Sequence, residues 1–206
     1  MRPARLLAAL ALAATPLAPS VARAQEDLID LDAARRPFVE KQYRAAAYAL
    51  RIASSSLRTE IGRCHDETIG AALIEAEPRI DRLAARVAAG GIPSVEVLDK
   101  EFTAIDRMMA QHHQALAAEG IGRPRLVPLP AVGKDLGKAA NYLARSVRWN
   151  GATLDAEATA AVAAAREMAA LLLTDPARRP AEAGAVIERL GKVLEPLAAA
   201  QQVSRR

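Results

Sequence analysis

The sequence predicts an all-α fold: a helical bundle of about five or six helices with one long Pro-rich crossover. Three observations carry that expectation. Apolar residues recur at alternating spacings of three and four, the period of one helix face. Proline and glycine gather at a few places and divide the chain into helix-sized lengths. No stretch alternates polar and apolar residues with period two for long enough to make a strand. The clearest helix is Ser94 to Glu119, where Val95, Leu98, Phe102, Ile105, Met109 and Leu116 form one stripe. His112 falls in the same series, so its ring is expected in a core seam, with His113 turned toward the edge.

Taken in order, Met1 to Ala24 reads as a secretory signal peptide. Arg2 and Arg5 are basic, Leu6 to Ala14 is apolar but too short to span a bilayer, and Ala22-Arg23-Ala24 offers small residues before a cleavage point at Gln25. A periplasmic or secreted protein is therefore expected, with residues 25–206 forming a single helical domain. The chain holds 28 Lys and Arg against 24 Asp and Glu. Losing Arg2, Arg5 and Arg23 with the leader leaves 25 bases against 24 acids, a net of +1. That balance, together with sparse aromatics, argues against nucleic-acid binding. No later stretch reads as a transmembrane helix, and Cys64, the single cysteine, excludes an intrachain disulfide.

Gln25 to Arg36 reads as polar and loose. Pro37 suits a first helical position. From there a stripe of Val39, Tyr43, Ala46, Leu50, Ala53, Leu57, Ile61 and Cys64 continues toward Pro78, which should break or kink the helix. Gly90-Gly91 ends it, and Pro93 and Ser94 open the next. Gly120 to Gly133, with Pro124, Pro128 and Pro130, reads as an extended connector. Leu136, Ala140, Leu143 and Val147 mark a helix closed by Asn150-Gly151. Asp155 to Leu173 is an alanine-rich helix whose small side chains allow close packing. Pro180 opens the last helix, and Pro196 and the polar end Gln201 to Arg206 finish the chain. Leu57, Ile61, Cys64, Leu98, Phe102, Ile105 and Leu116 are expected in one core.

Enzyme signatures are missing: G-x-S-x-G, the Walker loop, G-x-G-x-x-G, H-E-x-x-H and C-x-x-C-H. A non-enzymatic protein is the expectation. Acids read as solvated helix faces. Cys64 reads as a small buried thiol, with a redox or ligand role as the alternative. Metal chemistry rests on Met108, Met109, His112 and His113, whose thioethers and imidazoles lie within one turn of each other. Such donors suit copper(I), and Met with His also suits haem iron. A hairpin centred near Ile92 would set His65 opposite Glu119 and His112 opposite Ala72, keeping the three histidines apart.

Asp106, Met108 or Met109, then His112-His113-Gln114-Ala115, resembles the M-x-x-H-H-Q-A signature of a family of secreted, ferritin-like helical bundles of unknown function. The resemblance covers about a dozen residues and implies an exported bundle suspected of handling metals. Two readings result. The preferred one is an exported bundle that binds a periplasmic protein or small ligand through a groove. The alternative is a copper- or haem-binding bundle using Met108, Met109, His112 and His113.

Overall fold

The computed structural model describes residues 28–92, 94–175 and 180–203. The expected leader, Met1 to Ala24, lies outside the described residues, as do Pro93 and Pro176. The described residues are all-α, with no strand among them. Seven helices follow one another: α1 Asp32–Val39, α2 Tyr43–Ile61, α3 Glu67–Ala88, α4 Val95–Gly122, α5 Leu129–Trp149, α6 Ala156–Thr174 and α7 Pro180–Val203. None is long and apolar enough to cross a membrane.

Five expectations about boundaries are corrected. The stretch expected to be loose holds α1, which buries Ala34 and Phe38 and follows the buried Ile29 and Leu31. Pro37 stands inside that helix rather than at a start. Lys41, with φ of 60°, makes the turn into α2. The long first stripe divides at Gly62–Asp66, not at Pro78, and α3 runs through the proline. Asp66 fixes the restart, because its carboxylate accepts the Ile69 N–H at 2.9 Å and so caps α3. The Pro-rich connector shrinks to residues 123–128: Pro128 is the N-cap of α5 and Pro130 lies in its first turn, where a missing N–H costs no hydrogen bond. Finally, α7 continues through Pro196 to Val203.

The packing puts α4 in the middle. It lies against α5 and α7, α5 lies against α6, and α6 against α7, so these four helices close a ring. The α2–α3 hairpin rests outside it, with α1 joining α2 to α4. Accordingly α4 is buried on most of its circumference, from Leu98 and Phe102 to Met109, Ala110 and Ala117. Phe102 meets Trp149 edge-on, with ring centroids 5.3 Å apart. The alanine-rich α6 approaches α5 closely, as expected. A Cβ on Gly133 would fall 2.9 Å from the Ala169 carbonyl oxygen, so only glycine fits that crossing.

Leu57, Leu98, Phe102 and Ile105 share the core, with Ile61 and Cys64 packed half-buried against it. Leu116 departs from the expectation and lines a surface groove. His112 is buried as expected, but His113 does not face the edge: it is 0% exposed. The α5 helix covers the face of α4 on which His113 stands.

Candidate metal centre

Glu60 comes from the last turn of α2, where the outer hairpin meets the central helix. His112 and His113 are successive on α4, their ring centroids 5.0 Å apart. The Glu60 Oε2 is 3.3 Å from His112 Nε2, and its Oε1 is 3.9 Å from His113 Nε2. One donor atom from each of the three residues lies within 4.8 Å of the others. Donors about a tetrahedral ion with bonds of ~2.1 Å stand roughly 3.4 Å apart, so a small side-chain adjustment closes the set on a cation.

The surroundings hold His113 firmly. Its Nδ1 is 2.8 Å from Asp135 Oδ1 on α5, and Tyr142 stacks on its ring at 5.6 Å and 7°. Tyr142 is fixed in turn, its hydroxyl accepting the Ile29 N–H at 2.8 Å. Arg63 Nη2 donates to both oxygens of Asp135, at 3.1 and 3.2 Å, while its Nη1 donates to Glu60 Oε2 at 2.8 Å. Lys138 Nζ stands 3.7 Å from Glu60 Oε1, beyond hydrogen-bond length.

These contacts fix the charges. Burial would raise the Asp135 carboxyl, but His113 and Arg63 outweigh it and hold it below its ordinary value. Burial also opposes ionisation of Glu60, yet the His112 hydrogen bond, His113 once protonated, and the charges of Arg63 and Lys138 bring it down to about 2. Both carboxylates are ionised at neutral pH. An ionised Asp135 can only accept, so His113 Nδ1 carries the proton and Nε2 is a bare lone pair. Burial pushes the His113 pKa down, against the pull of Asp135 and Glu60, so the ring stays neutral. The Nε2 atom is buried and has no hydrogen-bond partner. A lone pair thus faces an ionised carboxylate across 3.9 Å, an arrangement that attracts a cation.

Of the four residues expected from sequence, His112 and His113 meet in this cluster. Met108 lines a different cleft, with Ala76, Ile80 and Leu83 of α3, and Met109 lies in the core. His65 sits where hairpin pairing puts it, its Nδ1 2.8 Å from Glu119 Oε2. Burial pushes the Cys64 thiol pKa up, and its Sγ donates to the Asp66 carbonyl at 3.4 Å, so it is not an activated thiolate. Sequence reasoning missed Glu60 and Asp135 by placing acids on solvated faces. Their side chains are only 13% and 10% exposed. Asp106 is a third such acid, at 0%. Its signal was present: Asp99, Asp106 and His113 repeat every seven residues along α4, a polar row on a buried helix.

Comparison with family models, curated proteins and solved structures finds no match.

Proposed function

We propose that this chain is an exported, non-enzymatic metal-binding helical bundle. It holds one borderline divalent cation, such as Zn²⁺, through Glu60, His112 and His113. The observation that carries this reading is the bare, buried Nε2 of His113, whose other nitrogen is oriented by Asp135. A carboxylate behind a ligating imidazole is the usual support of such a ligand. Two imidazoles and a carboxylate suit Zn²⁺, Cu²⁺ or Fe²⁺ better than copper(I), so Met108 and Met109 have no part in it. Haem is disfavoured because carboxylates, Arg63 and Lys138 surround the two histidines, where a porphyrin needs an apolar face. On these grounds metal binding moves ahead of partner binding. The partner or small-ligand reading keeps one support, an open groove of about 310 Å³ beside His112.

Without a cation, Lys138 partly neutralises Glu60 from 3.7 Å. A divalent ion between Glu60 and the imidazoles replaces that weak contact with direct bonds. Calorimetric titration of metal-free protein with Zn²⁺ tests the proposal, with Glu60→Gln and His113→Gln beside the wild type. One-to-one binding abolished in both variants is expected. Equal weak binding by all three would leave Glu60 and His113 without a metal role.

A further inference from the structure

The groove beside His112 has its own chemistry. It is lined by Cys64, His65, Asp66, Leu116, Glu119 and Arg123, with His112 at its inner end. His112 is the member that this groove shares with the Glu60–His112–His113 set. At the mouth, His65 Nδ1 meets Glu119 Oε2 at 2.8 Å, and His65 is largely exposed. The Arg123 guanidinium is engaged by Glu119 Oε1 at 2.7 Å. The mouth therefore presents an imidazole and two carboxylates, Asp66 and Glu119, against one paired arginine.

Glu60 itself is held by Arg63 at 2.8 Å and has Lys138 at 3.7 Å. Two positive charges there repel an incoming cation. From the groove, a cation meets carboxylates and an imidazole first and then His112. His65 and Glu119 do not join a third ligating side chain in a set tight enough to hold an ion among the described residues.

We infer that the groove is the loading route of the centre, with His65 and Glu119 as a transient capture pair for a divalent cation and His112 as the ligand that passes it inward. This inference rests on the metal-binding reading above. A capture pair that is not part of the final site changes how fast the ion enters and leaves, while the final affinity stays where Glu60, His112 and His113 set it. The fields of such a mouth alter association rates by about ten-fold or more.

Stopped-flow absorption with Co²⁺, as a coloured substitute ion, measures both rates on the full protein. The double variant His65→Ala, Glu119→Gln is expected to slow association and dissociation together by about ten-fold, with the equilibrium Kd unchanged. Unchanged rates would overturn the route and leave the centre intact. A faster dissociation with unaltered association would make the pair part of the final site and would equally overturn the route. Absence of Co²⁺ binding by the wild type would remove the centre itself, a failure seen before any variant is compared.

Discussion

Asp106 and His113 lie seven residues apart on α4 and both are 0% exposed, yet their surroundings differ in kind. Asp106 is saturated. Arg145 donates to both of its oxygens at 2.7 Å, and the Trp149 indole donates to Oδ2 at 2.6 Å. The same guanidinium reaches the Ile29 carbonyl at 2.8 Å, which ties the chain ahead of α1 to α5. Around His113, one nitrogen is held at 2.8 Å, while the other has no hydrogen-bond partner and faces Glu60 at 3.9 Å. Short, filled contacts at Asp106 mark a clamp that orders helices. Long contacts around a buried lone pair leave room for the proposed ion. Burial alone therefore does not separate the two groups; they differ in whether their hydrogen bonds are satisfied.

The largest effect should fall on the filled cluster. Asp106→Ala leaves Arg145 buried and unpaired and should cost about 3–5 kcal/mol in a denaturant titration. The folded fraction should still bind one Zn²⁺, and a negligible loss of stability would erase the contrast between the clusters. Asp135→Asn acts on the other cluster. The amide can no longer hold His113 as an ionised acceptor does, so Zn²⁺ affinity should fall by about 10–100-fold. Its loss of stability should be smaller than that of Asp106→Ala. Lys138→Met sharpens the comparison in the opposite direction. It removes a cation that competes for Glu60, so calorimetry should show binding tightened by roughly ten-fold. Weaker binding would assign Lys138 a supporting role.

The smallest effect is on acid stability of the metal-free protein. Glu60 and His113 both have folded-state pKa values below their ordinary 4.5 and 6.5. The folded state thus binds fewer protons than the unfolded one, and the contribution of these groups is complete above about pH 6.5. It declines as pH falls, first from His113 and then, between 4.5 and about 2, from Glu60. Thermal melts from pH 7 to 4 should show the decline shrink in His113→Gln. An equal slope in that variant would place the acid sensitivity elsewhere.

Much of the fold was legible because helix periodicity is local. The stripe of Leu98, Phe102 and Ile105 led directly to the core, and hairpin arithmetic paired His65 with Glu119. Prolines misled, since their effect depends on position: Pro128 and Pro130 start α5, and α3 runs through Pro78. Half of the proposed centre was legible. His112 and His113 stood out on α4, while Glu60 comes from α2, 52 residues away from His112. No local spacing connects the two, because the contact depends on how the outer hairpin lies on α4. Asp135 was hidden because an acid looks solvated until the covering helix is known, whereas the seven-residue row of Asp99, Asp106 and His113 already marked Asp106.

The most direct measurement is of the His113 imidazole itself. Two-bond ¹H–¹⁵N spectra of the metal-free protein at pH 7, then with one equivalent of Zn²⁺, report the state of each ring nitrogen. The account predicts a neutral ring with the proton on Nδ1 and a bare Nε2. One equivalent of Zn²⁺ should shift the Nε2 resonance and leave Nδ1 protonated against Asp135. A proton on Nε2 in the metal-free protein, or an Nε2 resonance that Zn²⁺ does not move, would contradict it.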